Sequence, residues 1–184
     1  MRNNTKELIA EALIEMAKTS DLEKIQVVDI CRRTGCSKQT FYNHFRDKYD
    51  VVAWIFSQYA YIPDPSGNCY YSLSALEKSL RAILEHRDFF RVAFASDGQN
   101  SLYEYIVQRD IAFNGEILRK AFHLQELDEE MLFMLKYHIH GCLGYVADRL
   151  SSDNPISPKE LAELEYKFMP EEMKTAWQQT PSGF

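Results

Sequence analysis

Glycine and proline are scarce in this chain, which has 7 glycines and 6 prolines among its 184 residues. Alternating polar and apolar runs, the pattern of half-buried strands, are also hard to find. Apolar residues instead recur at helical spacing along nearly the whole sequence. The sequence therefore predicts an all-α protein.

Long apolar runs are missing as well. No run approaches the roughly eighteen residues that a membrane-spanning helix needs, and the N-terminal stretch lacks the layout of a secretory signal peptide. The composition, with 46% hydrophobic and 26% charged residues, is typical of a soluble globular protein with a substantial core. We therefore expect a cytoplasmic protein with no membrane partner.

Cysteine is too sparse for a disulfide scaffold of the kind that holds small secreted domains together. We therefore expect reduced thiols at the four cysteines, Cys31, Cys36, Cys69 and Cys142.

Signatures of metal binding and catalysis are absent from the sequence. His138 and His140 lie on opposite faces of a helix, whereas His138 and Cys142 share a face but supply only two ligands. There is no nucleophile–base pairing, no glycine-rich phosphate loop, no HExxH and no carboxylate cluster at useful spacing. We therefore expect no metal, no cofactor and no enzymatic activity. An all-α enzyme remains an alternative, and its activity would survive deletion of residues 1–50.

The net charge of −6 argues against a polyanionic partner only when the charge is averaged over the chain. Between Cys31 and Lys48 there are five basic residues and one acidic residue. The protein is thus an acidic body with one compact basic region, which suits a protein that touches phosphates with a single face.

The chain divides at a turn-rich break, residues 63–68, where proline, glycine and small polar residues interrupt the helical pattern. We predict a DNA-binding domain at 1–50 and a helical effector-binding and dimerisation domain at 51–184. Beyond the short N-terminal helices, the predicted helices cover residues 47–61, 72–86, 87–95, 100–122, 128–150 and 157–178.

Two short helices joined by a tight turn are predicted between residues 27 and 44. Gly35 stands where the first helix needs a left-handed residue to end it, and Ser37 is a good cap for the next helix. On that second helix Phe41 and Phe45 share one face and point inward. Such a unit places its second helix in the major groove of DNA.

The opposite face of the second helix carries groups that suit DNA recognition. Gln and Asn amides can pair with adenine and Lys can reach guanine, while other side chains contact phosphates and fix the register. The same pattern also fits a short amphipathic helix with an ordinary solvated face. The predicted DNA-binding residues are Lys38, Gln39, Thr40, Tyr42, Asn43, His44 and Lys48.

Residues 5–56 resemble the N-terminal domain of TetR/AcrR-family transcriptional regulators. The resemblance rests on the run from Thr40 to Lys48 (TFYNHFRDK), which follows Gly35 and Ser37 in the family's register. It implies a recognition helix at 38–44 that contacts operator DNA, with Lys48 near a phosphate at the start of the fourth helix. The DNA-contacting positions implied on that helix are Lys38, Gln39, Thr40, Tyr42 and His44.

Two residues depart from the family pattern. Gln26 stands where the family usually has a Thr or Ser that caps the second helix. Cys36 stands where Val or Ile is usual, a place that a small buried thiol can fill.

The resemblance implies a homodimer formed by the last two long helices, about 128–150 and 157–178. Gly141 and Gly144 agree with this, because a mid-helix glycine costs roughly 1 kcal/mol relative to alanine. That cost makes sense where another backbone approaches closely, from the partner or from the same subunit.

The resemblance also implies a small-molecule effector bound in the C-terminal body, which is rich in aromatic residues. Aromatic residues at helical spacing fill cores more often than they line pockets, so the sequence leaves the pocket residues and the effector unassigned. We expect a bound effector to shift the helix near 47–61 and lower operator affinity, with a coupling of about 1–3 kcal/mol.

Residues 38–56 and 140–145 are similar to a subgroup that contains regulators of dihydroxyacetone kinase operons. The main prediction is a ligand-responsive homodimeric repressor. The alternative is a TetR-like co-regulator or activator that acts through a protein partner.

Overall fold

A computed structural model describes residues 5–60, 72–96, 101–154 and 156–179. Helices and short connections make up these residues, and no strand occurs among them, which confirms the all-α prediction. The predicted break at 63–68 lies outside the described residues. The helices are α1 (Thr5–Ala17), a 3₁₀ turn (Leu22–Lys24), α2 (Val27–Thr34), α3 (Lys38–Tyr42), α4 (Lys48–Ala60), α5 (Leu73–Glu85), α6 (Arg87–Phe94), α7 (Leu102–Ala121), α8 (Glu129–Ser151), α9 (Pro158–Lys167) and α10 (Glu171–Gln179).

Polar caps explain where five of these helices begin. In each case a Ser or Asp side chain accepts a hydrogen bond from the backbone N–H three residues on, which satisfies one of the free donors of the first turn. The cap of α9 is a full capping box, because Glu160 also accepts from the backbone N–H of Ser157. The capping residues are Ser37, Ser72, Ser101, Asp128 and Ser157.

The prediction of one continuous helix over 157–178 is wrong. The chain forms α9 and α10 there, with Phe168, Met169 and Pro170 between them. Proline has no N–H to continue the hydrogen-bond ladder and disfavours helical geometry in the residue before it. Pro170 therefore ends the first helix, and its carbonyl accepts from Lys174 N–H at 3.1 Å in the first turn of the second.

The recognition helix is also shorter than the predicted 38–44. The α-helix ends at Tyr42, and Asn43 and His44 continue it as a turn. The N–H of His44 donates to the carbonyl of Phe41 at 2.9 Å. Asn43 and His44 thus extend α3 by a hydrogen-bonded turn.

Helix α4 connects the N-terminal three-helix head to the body. It packs against α1 in the head and against α5 and α7 in the body. Its buried residues belong to one continuous apolar core that runs from Ile9 to Trp177. The predicted domain boundary at residue 50 stays a prediction, since α4 takes part in both halves.

In the body, α7 packs against α8 and α10, while α5 packs against α9. Phe90, Leu118, Leu135 and Leu161 are fully buried at the centre of this bundle. Among the described helices, none is both long enough and apolar enough to cross a membrane.

Candidate nucleic-acid interface and internal cavity

The turn between α2 and α3 depends on Gly35. Its φ of 74° lies in the left-handed region, which residues with a side chain adopt only under strain. A Cβ placed there would meet nothing within 4 Å, so the backbone conformation alone requires glycine. The turn sets the angle between α2 and α3 and therefore aims the second helix.

Ser37 fixes the start of α3. Its Oγ accepts from the backbone N–H of Thr40 at 3.0 Å and lies 2.9 Å from the Thr40 hydroxyl. The hydroxyl of Thr40 is therefore held at the N-terminal end of the helix, where it is partly exposed.

Aromatic packing anchors the inner face of α3. Phe41 is completely buried and Phe45 nearly so, with ring centroids 6.0 Å apart. Phe45 in turn makes an edge-to-face contact with Trp54 of α4, also at 6.0 Å. This arrangement confirms that the two phenylalanines point inward, and it joins the second helix rigidly to the helix that enters the body.

The outer face of α3 is polar and open to solvent. Lys38, Gln39, Tyr42 and Asn43 are exposed, and 54% of the Tyr42 surface is accessible. The amide Nε2 of Gln39 donates to Oδ1 of Asn43 at 3.1 Å. The structure thus brings these four predicted residues together on one surface, with Thr40 and the half-buried His44 at its edges.

The basic residues around this surface differ in how far they are already paired. Arg32 contacts Asp29 at 2.8 Å, and the guanidinium of Arg46 lies 3.8 Å from Asp50. Lys38, by contrast, has no hydrogen bond or ion pair with any described residue. Its ammonium is therefore available to an external anion or base edge.

Lys48 is the exception among the predicted DNA-binding residues. Its ammonium donates three hydrogen bonds to the carbonyls of Leu22, Glu23 and Ile25 at 2.6, 2.8 and 2.9 Å. Burial lowers the pKa of Lys48. The side chain thus closes the 3₁₀ turn onto the first turn of α4, and its contact with a DNA phosphate stays a prediction.

Both departures from the family pattern are visible in the structure. Gln26 occupies the N-cap position of α2 but makes no side-chain capping bond. Cys36 is half-buried and packs against the core of the head.

The body contains a half-open cavity of about 140 Å³ between α4, α5, α6, α7, α8, α9 and α10. Most of its wall is apolar, and Phe56, Phe94 and Trp177 are its aromatic members. Most of the other described aromatic residues fill the core or lie at the surface. The polar side chains that line the cavity are Ser79, Asp110, Asn114, His138, Cys142 and Glu165.

Two carboxyl groups from different helices face this cavity. Burial raises the pKa of Asp110 to about 6, although nearby Arg109 lowers it in part. Burial also raises the pKa of Glu165 to about 7, with a further contribution from the charge of Asp110. Neither residue stands out in the sequence, because an isolated acid in a helix is usually a solvated surface residue.

The other titratable groups of the cavity are uncharged at neutral pH. Burial and the charge of Lys174 lower the pKa of His138. Burial raises the pKa of Cys142 to about 12, and the charge of Glu165 adds to the effect. His138 and Cys142 are in contact, with ring nitrogen to sulfur distances of 3.7 and 3.8 Å.

A wide groove of about 690 Å³ runs along the outside of α8 and α9. Large aromatic side chains line it in the open: Phe133 is 70% exposed, Tyr137 73% and Phe168 70%. Soluble monomers rarely expose an apolar patch of this kind unless it is an interaction site.

Gly141 lies in the same groove, and Gly144 is one turn further along α8. A Cβ at either glycine would meet nothing within 4 Å in this chain. The hypothesis that another helix of the same subunit approaches these glycines is therefore wrong for the described residues. A close approach by a partner's backbone stays a prediction.

Residues 72–171 match the family profile described as the TetR-type transcriptional regulator C-terminal region. This match covers more than half of the chain. The protein belongs to the TetR family of transcriptional regulators. The helix-turn-helix head and the helical body are the two parts of that architecture, and its members are regulators of transcription, not enzymes.

A relative with a known role comes from Lactococcus lactis subsp. lactis (strain IL1403), where it is named the HTH-type dhaKLM operon transcriptional activator DhaS. It is 24% identical over 157 residues, which are 83% of this chain and 82% of the relative. A solved structure named dihydroxyacetone kinase operon activator DhaS is similar in fold, with a TM-score of 0.62 at 19% identity. That likeness covers 92% of this chain and 96% of the other. The similarity to regulators of dihydroxyacetone kinase operons is thus confirmed.

Proposed function

We propose that this TetR-family regulator works as a homodimer that binds operator DNA through α3 and responds to a small molecule bound in its body. The observation that carries the proposal is the outer face of α3. There, Lys38, Gln39, Tyr42 and Asn43 stand exposed on a helix whose inner face is fixed by buried phenylalanines.

Each exposed group has a specific partner on DNA. The hydrogen bond from Gln39 to Asn43 orients both amides before DNA arrives, and either amide can pair with the N6 and N7 edge of adenine. Lys38 suits the O6 and N7 atoms of guanine. Tyr42, with Thr40 and His44 at the edges, suits the phosphates that set the position of the helix.

Dimerisation supplies the second recognition helix. The groove on α8 and α9 exposes enough aromatic surface to form the centre of an interface, where aromatic residues are enriched. A two-fold dimer would present two copies of α3 to half-sites separated by about 34 Å, one turn of DNA. This interface matches the predicted segments 128–150 and 157–178, apart from the break at Pro170.

The internal cavity supplies a site for the effector, and two connections lead from it to the head. Phe56 lines the cavity on α4, whose first residue, Lys48, holds the carbonyls of the 3₁₀ turn. Phe94 lines it at the end of α6, two residues before Ser96, whose hydroxyl donates to the carboxylate of Glu23. A ligand that displaces either phenylalanine would therefore move the head, with a coupling of about 1–3 kcal/mol.

Activation is a second candidate for the direction of regulation, beside the repression predicted from the sequence. The observation that favours it is that both similar proteins are named operon activators. Transcription in vitro from the chain's own upstream promoter, with and without the protein, separates the two, because added protein lowers transcript yield in one case and raises it in the other. A requirement for a further protein would identify the co-regulator alternative.

The DNA-binding proposal is tested by fluorescence anisotropy with the upstream intergenic DNA over a series of salt concentrations. We expect Lys38→Ala and Tyr42→Ala to weaken binding, and the slope of log affinity against log salt to fall by about 0.9 for each phosphate interaction that a variant removes. Lys159→Ala is the matched control, since it removes an exposed lysine from α9 in the body. Equal binding by all three variants would contradict the proposed interface.

A further inference from the structure

The charged side chains that line the internal cavity are acidic. Among the described residues that line it, the ionisable groups that carry charge near neutral pH are the carboxyls of Asp110 on α7 and Glu165 on α9, since His138 and Cys142 are held neutral. No lysine or arginine lines the cavity among the described residues. The undescribed segments 61–71 and 97–100 contain neither residue type.

Glu165 is the more informative of the two acids. It has no hydrogen bond or ion pair with any described residue, although its carboxyl group is well removed from bulk water. One edge of its side chain also borders the outer groove, so the residue as a whole is half-buried. An acid placed in this way is costly to the fold, and the cost is explained if a ligand supplies the missing partner.

The neighbouring polar groups are already engaged and hold the cavity in shape. Trp177 Nε1 donates to Oδ1 of Asn114 at 2.8 Å, and Nδ2 of Asn114 donates to the carbonyl of Asp110 at 2.9 Å. Asn114 is thereby fixed one helical turn from Asp110, with its oxygen and one amide hydrogen in use. The carboxyl group of Glu165 thus remains as the polar group of the wall that lacks a partner among the described residues.

We propose that this cavity binds a compact organic cation, an alkylammonium whose charge is neutralised by the carboxylates of Asp110 and Glu165 and whose carbon chain packs against Phe56, Phe94 and Trp177. The size follows from the cavity, because a space of about 150 Å³ accommodates benzene, with its six carbons. The inference rests on the proposed role of the cavity as the effector site and gives that effector a chemical class.

Binding such a cation also has a consequence for protons. Near neutral pH the two carboxyls share about one proton, because the pKa of Asp110 is about 6 and that of Glu165 about 7. A bound ammonium favours the ionised form of both groups, so the proton leaves to solvent as the cation binds. The affinity should therefore rise about twentyfold between pH 6 and pH 8, as the fraction of protein with both carboxyls ionised increases.

The test uses three probes of matched size: n-butylammonium, butan-1-ol and butyrate. The chain has two tryptophans, so Trp54→Phe leaves Trp177, in the cavity wall, as the only tryptophan, whose emission is followed with excitation that tyrosine does not absorb. In this variant at pH 8, n-butylammonium should bind at least ten times more tightly than butan-1-ol, and butyrate should not bind. Glu165→Gln should reduce the affinity for n-butylammonium at least tenfold and leave that for butan-1-ol unchanged.

Glu163→Gln is the matched control on the same helix, since Glu163 is exposed and lies 3.9 Å from Lys159. It should leave both affinities unchanged. Equal binding of butan-1-ol and n-butylammonium, or full affinity for the ammonium in Glu165→Gln, would overturn the proposal in favour of a neutral ligand. These titrations contain no DNA, so operator binding by the same preparation tests the regulator function separately.

Discussion

The ammonium of Lys48 donates a hydrogen bond to the backbone carbonyl of Leu22 at 2.6 Å. Two further carbonyls, of Glu23 and Ile25, complete its shell of acceptors. A lysine that a sequence motif associates with DNA thus holds together the segment between α1 and α2. Because Lys48 is the first residue of α4, these hydrogen bonds join that helix directly to the head.

Lys48→Ala should therefore destabilise the protein. Removal of the ammonium takes a donor away from three carbonyls, of which only that of Leu22 still accepts a hydrogen bond from another described residue, from the backbone N–H of Ile25 at 3.2 Å. Each unsatisfied buried group costs about 1–3 kcal/mol, less where water can replace the donor. We expect the free energy of unfolding in urea to fall by roughly 1–3 kcal/mol, against little change for Lys159→Ala. Unchanged stability with a lower salt slope of DNA binding would instead identify Lys48 as a phosphate contact alone.

Gly35→Ala should destabilise the head by about 1–2 kcal/mol, the usual cost of a left-handed conformation in a residue with a side chain. The site has open space around it, so the cost arises from the backbone and not from a clash. Gly35→Asn should cost less, because asparagine tolerates this conformation better. Urea unfolding of the two variants gives the order, and an equal loss in both would contradict the conformational explanation.

The elements that the sequence predicted well are those whose signals are local. The positions of α2 and α3 follow from Gly35, Ser37 and the spacing of two phenylalanines, all within eleven residues of each other. The signal for the break at Pro170 is equally local, but the prediction of a helix over 157–178 takes no account of the proline. The break could have been found from the rule that a helix rarely continues through proline.

The cavity could not be predicted in the same way. Asp110 and Glu165 come from helices far apart in the sequence, and each looks like a surface acid in its own segment. Only the packing of α7, α9 and α10 around Trp177 removes the two acids from water and brings them to the same cavity. Long-range packing of this kind leaves no periodic signal in the sequence.

Tyr137→Glu should convert the proposed dimer to a monomer. The side chain is 73% exposed at the centre of the outer groove, and a carboxylate buried without a partner at an interface is strongly unfavourable. Sedimentation velocity at micromolar concentration should show that the dimer is gone. Tyr42→Glu, the same change on the outer face of α3, should leave the dimer intact, and a dimeric Tyr137→Glu would refute this interface.

Gly141→Ala should affect the helix and the dimer in opposite directions. Alanine favours a helix over glycine by about 1 kcal/mol, and its methyl group meets nothing within the chain. The added methyl group would nevertheless push away a partner backbone close to this position. We therefore expect a more stable subunit and a weaker dimer. The free energy of unfolding and the dissociation constant of the dimer are therefore measured separately. An unchanged dissociation constant would mean that the partner's backbone does not approach Gly141.

Glu165→Gln should stabilise the protein above neutral pH and have little effect in acid. The folded-state pKa of Glu165, about 7, lies above its ordinary value of 4.5. A carboxyl group with a raised pKa favours the fold while it is protonated, below its unfolded value, and this contribution is lost as the pH rises through 7. The titratable groups that line the same cavity are Asp110, Cys142 and His138, and the charge of Lys174 acts on His138.

Thermal unfolding at pH 5 and pH 8 measures this difference directly. At pH 8 the glutamine removes a buried charge, and the midpoint should rise by roughly 2–4 °C for each kcal/mol recovered. At pH 5 the glutamate is already mostly protonated, so the midpoints of the two proteins should converge. The same concentration of n-butylammonium at pH 8 should raise the midpoint of the native protein by more than that of Glu165→Gln, because stabilisation grows with the ratio of ligand concentration to Kd. A gain from the substitution that is equal at both pH values would mean that packing, and not the charge of Glu165, limits the stability of the cavity.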